Sequence, residues 1–380
     1  MLQPKSEAEL ADCLAAAKYP MAIRGGGTRP IGRAVAGEVL STAALTGITL
    51  YEPGALTLVA QAGTPLAEIE AVLHAENQRL PFEPMDHRAL LGTDGTPTIG
   101  GVVAGNVSGP RRIQAGAARD GLIGVRFVDG AGTVIKNGGR VMKNVTGYDL
   151  VKLIAGSYGT LGVLSEVSFK LLPEVETCAC LILEGLSDQS AVAALSRALA
   201  SPYEVTGAAH AANRGGRSRT MLRLEGFAKS VAYRTDALRA VLAEFGEVEM
   251  ISDPDLVRQM WKDQRDVTAF AGQTGDVWRI SCKPSDGPAI GAKIKGEVIY
   301  DWGGGLIWAL VGEGHDLRKT LGAFGGHATL IRASEATHAR IRTFHPEPAP
   351  LAALSDGLRR KFDPKGILNT GLMATAMPAA

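Results

Sequence analysis

Cysteine is scarce in this chain. Four occur among 380 residues: Cys13, Cys178, Cys180 and Cys282. None forms a Cys-x-x-Cys pair, which argues against a structural zinc or an iron–sulfur cluster held by this chain alone, and no metal is expected. Thiols this sparse suit a reducing compartment better than a disulfide scaffold. Charge of one sign is also missing. Lys and Arg number 40 against 39 Asp and Glu, a net charge of +1, with no long basic stretch. Nothing therefore predicts contact with nucleic acid or an anionic membrane surface. No run of about 18 uncharged apolar residues occurs, so no transmembrane segment is expected. The opening Met1 to Lys5 lacks the apolar stretch of a secretory signal. The expectation is a soluble cytoplasmic protein.

Glycine, by contrast, is abundant. The 47 glycines make up about 12% of the chain against a usual ~7%. They cluster between apolar runs in the first half, where turns and close backbone approaches belong. A length of 380 residues allows two or three domains, and an apolar content of 46% allows a substantial core. Ser6 begins a capped helix through residue 17, with Glu7 and Glu9 at its positive end. A short strand, 19–24, runs straight into Gly25. Residues 48–51 and 56–61 read as extended, and 64–74 as a helix with Thr64 at its cap and Pro65 in its first turn. The strands 122–129 and 134–136 are joined by a hairpin turn at 130–132. The strand 163–172 stops at Pro173, which marks a domain boundary. Beyond it, strand-like 178–183, helical 190–199, strand-like 220–225 and helical 229–245 describe a compact α+β domain. Further strands are expected at 277–281, 297–301 and 306–310, with a closing helix at 354–362 and frayed residues from about 374.

The chemistry-bearing pattern is a set of three glycine-rich segments. Arg24-Gly25-Gly26-Gly27-Thr28 follows a strand. Without Cβ atoms its amides can converge on a phosphate, Thr28 adds a hydroxyl, and Arg24 and Arg29 can neutralise charge. The spacing is not that of a Rossmann fingerprint, and no Gly-Lys-Ser/Thr follows to make a Walker A loop. The second segment runs from Gly95 to Gly109 through Thr98-Ile99-Gly100-Gly101, and its small residues let backbone lie flat against a large ligand. Asn106 and Ser108 supply polar groups there. The third, Lys143 to Lys152, continues into Gly156-Ser157-Tyr158-Gly159-Thr160-Leu161-Gly162-Val163.

Taken together, residues 3–172 resemble the FAD-binding domain of the vanillyl-alcohol-oxidase type, the FAD-binding PCMH-type family. The resemblance implies an α+β protein, with a two-subdomain PCMH-type FAD-binding fold at 1–172 followed by a smaller α+β cap domain at 173–375. It implies a pyrophosphate site at Arg24, Gly25, Gly26, Gly27 and Thr28. A second wall is implied at Thr98, Ile99, Gly100, Gly101, Gly105, Asn106 and Ser108, and flavin contacts at Gly159, Thr160, Gly162 and Val163. Some members attach the flavin to a histidine of the first loop. That loop has no histidine here, so non-covalent FAD is expected.

A narrower resemblance rests on Val141 to Leu150, Trp278-Arg279-Ile280-Ser281, Asp301-Trp302-Gly303-Gly304, Gly325 to Leu330 and Phe362 to Asn369. These strings are similar to the FAD-binding subunits of bacterial glycolate oxidase, the GlcE type. The family's 2-hydroxy-acid dehydrogenases carry a Gly-Asp-Gly-Asn-x-His segment, whereas the nearest string here is Val311-Gly312-Glu313-Gly314-His315. Oxidising a 2-hydroxy acid needs a cation for the carboxylate, a base for the hydroxyl proton and a flavin for the hydride. Arg279 and Arg332 are candidate clamps, and His210 and His327 candidate bases; Lys283 reads as surface. Arg279 and His327 are the residues expected at a substrate. Three alternatives follow. The chain is an FAD subunit of a glycolate oxidase complex, with a catalytic flavoprotein subunit and an iron–sulfur subunit as partners and the inner membrane reached only through them. It is a self-sufficient, D-lactate-like 2-hydroxy-acid dehydrogenase. Or it is a non-catalytic flavin-fold assembly subunit.

Overall fold

Ser6 accepts the Glu9 amide at 3.2 Å and so starts helix α1, Glu7–Ala16, as its capping pattern predicts. Leu10 and Leu14 bury one face of α1 against Met21, Leu40, Leu45, Val128 and Val163. Strand β1, Met21–Arg24, pairs in parallel with β2, Glu38–Ser41. The alternating runs form strands, two pairs of them joined as hairpins. They give β3, Ile48–Glu52, β4, Thr57–Gln61, β5, Leu122–Val128, β6, Val134–Gly138, and β7, Val163–Lys170, in an antiparallel sheet ordered β3-β4-β7-β5-β6. Helix α2, Leu66–Ala75, buries Leu66, Ile69 and Leu73. Its cap position is Pro65, and Thr64 works elsewhere: its hydroxyl donates to Gln61 O at 2.7 Å and accepts from Gly47 N at 3.0 Å. The computed structural model describes residues 1–139, 147–214 and 216–373, so Lys143–Thr146 of the third glycine-rich segment, Val141–Thr146 of the Val141–Leu150 string and the residues from 374 lie outside the described residues.

The Gly95–Gly109 segment departs from the flat path expected of it. Residues Ile99–Ala104 form a short helix, α3. Thr98 caps it, its hydroxyl accepting from Gly101 N at 3.3 Å, and Gly100 N donates to Ala62 O at 2.8 Å. A Cβ on Gly100 would stand 2.7 Å from that same carbonyl oxygen, so the small residues serve close packing of helix on strand.

The chain forms two units: residues 1–108, 116–174 and 346–380 in the first, and 109–115 with 175–345 in the second. The break after residue 174 lies two residues beyond the expected boundary, and residues 109–115 and those from 346 fall in the other unit from the sequence reading. In the second unit β8, Thr177–Glu184, is buried on both faces. Ala179, Leu181 and Leu183 enter a core beneath helix α4, Asp188–Leu199, whereas Cys178, Cys180 and Ile182 face another. Strands β9, Gly207–Arg214, and β10, Arg217–Gly226, precede α5, Ala228–Leu242, β11, Glu249–Ile251, and α6, Pro254–Arg265. Strands β12, Asp276–Cys282, β13, Gly296–Asp301, β14, Leu306–Val311, and β15, Gly326–Arg332, complete an eight-stranded antiparallel sheet ordered β11-β8-β10-β9-β13-β14-β12-β15. Strands β9, β11 and β15 and helix α6 were not legible from residue pattern.

Helix α7, Ala349–Phe362, and the segment after it return to the first unit. There Met21 N donates to Ile367 O at 2.7 Å and Asn369 N to Met21 O at 3.1 Å, so residues 367–369 lie along β1.

Candidate functional site

A cleft in the first unit is walled by residues from all three glycine-rich segments. Gly25 comes from the end of β1, Gly100, Gly101 and Ala104 from α3, and Gly159, Gly162 and Val163 from the turn into β7. It encloses a volume of about 70 Å³. The walls also include Ile23, Thr42, Ala62, Ser157, Tyr158, Leu164 and Asn369, which the sequence did not single out as site residues. Asn369 had a signal, since it ends the Phe362–Asn369 string. Its side chain accepts from Ile23 N at 2.8 Å and donates to Tyr158 O at 2.8 Å, which stitches the β1 edge to the 157–160 turn.

The remaining expected residues sit around this cleft without lining it. Thr98 stands directly behind Gly25, where an added Cβ would meet its hydroxyl at 2.6 Å. Gly26 lies against the Thr96 carbonyl, 1.5 Å from an added Cβ, and Gly95 lies against the Gly26 carbonyl, 1.9 Å from one. These two loops therefore touch backbone to backbone. Gly27 differs: its φ is +74°, and an added Cβ would have nothing within 4 Å. Arg24 projects an exposed side chain, and the Thr28 carbonyl accepts the Thr93 hydroxyl at 2.9 Å. Ile99 is core. Asn106 accepts Arg119 N at 3.0 Å and Ser108 accepts Ala118 N at 2.9 Å, so both side chains hold the following segment. The Thr160 hydroxyl closes its own turn on Ser157 O at 2.7 Å.

Arg29 supplies the charge at this site. Its guanidinium donates to Gly101 O at 2.7 Å, lies 5.6 Å from the Tyr158 ring centroid, and fills the space where a Gly105 side chain would be. Burial pulls its pKa below the usual arginine value, opposed by Tyr158, and no carboxylate pairs with it among the described residues. A cation held in low dielectric beside backbone free of side chains suits a phosphorylated ligand. On this test the residues fit a dinucleotide.

The second unit holds a separate polar cluster. Arg279 on β12 pairs with Thr329 on β15, and Ser281 with His327, so Arg279 and His327 share one sheet face as diagonal neighbours. Trp278, Ile280, Ala328 and Leu330 fill the core on the other. Arg279 and Arg112 both lie over the Trp302 ring, at 5.1 and 4.5 Å from its centroid. Partial burial, then the positive charges of Arg279, His345 and Arg112, hold the His327 pKa below its ordinary value. The other sequence candidates do not join this cluster. Arg332 donates to the carbonyls of Phe270 and Gln273, at 2.8 and 2.7 Å. His210 is fully buried between Thr220 at 2.9 Å and Asp188 at 3.3 Å, and Tyr300 donates to that aspartate at 2.5 Å. A histidine so enclosed is structural. His315 bonds Thr320 at 2.8 Å in the turn after β14, and Lys283 is exposed.

Among known proteins, the FAD binding domain family matches residues 1–138. The glycolate oxidase subunit GlcE of Escherichia coli (strain K12) is 36% identical over 359 residues, covering 94% of this chain and 93% of that subunit. The glycolate oxidase subunit GlcD of Bacillus subtilis (strain 168) is 34% identical over 163 residues, 42% of this chain and 33% of that subunit. In three dimensions an alkyldihydroxyacetonephosphate synthase superposes with a TM-score of 0.69 over 97% of this chain and 76% of that one; at 14% identity it speaks for the fold alone. The chain thus belongs to the FAD-binding PCMH-type family of FAD-linked oxidoreductases, and its cofactor is FAD.

Proposed function

We propose that this chain is the FAD-carrying subunit of a glycolate oxidase complex, which oxidises glycolate to glyoxylate and passes the electrons to a partner subunit. The observation that carries this reading is the end-to-end match to GlcE, which spans both units and not the cofactor region alone. The match to GlcD stops within less than half of the chain, as expected of subunits that share a cofactor domain and differ in the rest. The partners are then a catalytic flavoprotein subunit and an iron–sulfur subunit. Among the described residues no helix is long and apolar enough to cross a membrane, so any membrane contact is assigned to those partners.

In this reading Gly25, Gly26, Gly27 and Thr28 hold the pyrophosphate, and Arg29 balances its charge from beneath α3. Thr98 to Gly101 and Gly159 to Val163 bring backbone against the rest of the cofactor. When bound, FAD supplies the two-electron acceptor for a C–H and O–H oxidation. The cleft wall contains neither His nor Cys, which supports non-covalent attachment. Acid precipitation should release the yellow colour to the supernatant; colour that stays in the pellet refutes this.

The function is tested by purification from native cells with cofactor analysis, followed by dye reduction with glycolate. Expected are co-purifying cysteine-rich subunits, FAD, and turnover by the complex but not by the isolated chain. Turnover by the isolated chain would instead establish the self-sufficient dehydrogenase, and a preparation that takes up no FAD the assembly subunit.

A further inference from the structure

We propose that Asn369 is a positioning residue for the cofactor: its side chain fixes the distance between the β1 edge and the 157–160 turn, and so sets the width of the cleft. That FAD occupies this cleft is the reading proposed above, and the role of Asn369 rests on it. The segment that delivers Asn369 is built into the first unit. Gly130 N donates to Phe362 O at 2.8 Å, at the end of α7, and the Asp363 carboxylate accepts Leu368 N at 2.8 Å, which closes the turn between them. Lys365 Nζ donates to Leu14 O and Ala15 O, at 3.0 and 2.7 Å, two carbonyls that the last turn of α1 leaves without helical partners. Ile367 and Leu368 enter the core beside Leu10, Leu14 and Met21. With Met21 bonded through both its N–H and its carbonyl, the segment brings Asn369 to the cleft in one register.

The amide then works in two directions. Its Oδ1 accepts Ile23 N and its Nδ2 donates to Tyr158 O, both at 2.8 Å. A backbone N–H only donates and a carbonyl only accepts, so these partners settle which way the amide faces. The backbone on both sides of the second bond is in a costly conformation. Tyr158 and Gly159 have φ +52° and +71°, and Asn369 itself φ +43°. Asn is one of the few residues with a Cβ that adopts it readily. Gly159 leaves the room that the amide needs: an added Cβ there would stand 3.1 Å from Nδ2 and 3.6 Å from Ile23. The same turn is bonded to α3, by Gly156 N to Val103 O at 3.0 Å and Tyr158 N to Ala104 O at 2.8 Å. Ile23 of β1, Gly159 of the turn and Ala104 of α3 all line the cleft, so one side chain ties its walls together. Asn369 is 6% exposed and bonded to backbone on both sides, so it acts on the cofactor through these walls.

The test is titration of the full-length apoprotein with FAD, read by flavin fluorescence quenching, beside calorimetric melting of the same samples. Affinities are compared at a temperature where every variant is folded. Asn369→Gly keeps the positive φ without strain and removes both side-chain bonds, and should weaken FAD binding roughly tenfold. Asn369→Asp keeps an acceptor for Ile23 N but sets a carboxylate oxygen against Tyr158 O, and should weaken FAD binding at neutral pH by at least as much. Lys365→Met loosens the same segment where it meets α1, away from the cleft. It should lower the melting temperature and leave FAD affinity within about twofold of the parent. The visible circular dichroism of the bound flavin should change in both Asn369 variants and not in Lys365→Met, a signature that stability alone does not move. If Asn369→Gly does not fold, Asn369→Asp decides. Parent-like affinity in Asn369→Asp, or a loss in Lys365→Met equal to that in the Asn369 variants, overturns the assignment. Gly26→Ala, measured alongside, acts through Thr96 and separates the two readings. A loss there with parent-like Asn369 variants overturns the role of Asn369 alone. Parent-like affinity in all of them removes FAD from this cleft and overturns both. A loss in the Asn369 variants with parent-like Gly26→Ala keeps the role of Asn369 and overturns the pyrophosphate role of the first loop.

Discussion

Replacing Gly26 by Ala tests what the first glycine loop is for. The new methyl carbon would lie 1.5 Å from the Thr96 carbonyl oxygen, and Cβ atoms essentially never approach another atom within 3.0 Å. The 25–28 and 95–98 loops must then part by at least half of that minimum distance. Neither side can yield by rotating a side chain, since the contact is backbone to backbone. Thr98, which caps α3 behind Gly25, moves with Thr96, so the cleft wall opens as well. Overpacking of this kind costs about 1–3 kcal/mol. If the apoprotein relaxes and FAD binding must restore the parent geometry, that cost appears as a loss of affinity of roughly 5- to 100-fold. Gly185→Ala, outside the cofactor loops, is the control. Its methyl meets nothing within 4 Å, but φ +78° penalises any Cβ by about 1–2 kcal/mol. That penalty is paid with or without cofactor, so it should lower the melting temperature and leave FAD affinity near the parent value. Flavin fluorescence quenching on titration of the apoprotein gives the affinity, and calorimetry gives the stability. Equal losses of affinity in the two variants, or none in Gly26→Ala, would refute the reasoning.

Three further outcomes follow from the same geometry. Arg29→Met should weaken FAD binding about tenfold or more and flatten its salt dependence, because a half-buried charge-assisted contact is removed; titration at low and high salt checks both effects. Glu225→Gln leaves the buried Arg111 and Arg223 without their shared counter-charge, and should cost about 3–5 kcal/mol of stability in calorimetry, with FAD affinity unchanged. Burial holds the His338 pKa below the ordinary imidazole value, and burial with neighbouring positive charge does the same for His345 and His327. The unfolded chain takes up these protons near pH 6.5 and the folded chain only at lower pH, so stability should be full above that value and fall as the pH drops below it. A melting temperature that rises on acidification from pH 7.5 to about 5.5 would contradict this.

The cofactor was legible in the sequence because the relevant signal is local. A loop that must bring backbone close to a ligand or to another backbone cannot carry Cβ atoms, and three such loops spelled themselves out as glycine. The antiparallel sheet of the first unit was legible for a similar reason: alternation and turn chemistry act over a few residues. Even there, pattern did not distinguish glycines that face open space, such as Gly27, from glycines that serve packing, such as Gly26 and Gly100. That distinction depends on what lies opposite, and Thr96 and Ala62 come from other parts of the chain. Asn106 and Ser108, plausible cofactor donors by type, are consumed by the segment that follows them.

Sequence alone thus determined the cofactor class, the absence of a metal pattern in its cysteines and the strands built on strict alternation. Tertiary structure decided the rest. It moved Gly109–Ala115 into the second unit, returned Asn369 to β1, set a half-buried Arg29 against Gly101 with no carboxylate partner among the described residues, and enclosed His210 in a network with Asp188 and Tyr300. It also set Arg112 and Arg279 over Trp302, with His327 beside Arg279 on the sheet. Each of these depends on sheet register and on contacts between distant residues, where a side chain's partner is set by how strands pair and helices pack, and no local pattern records it.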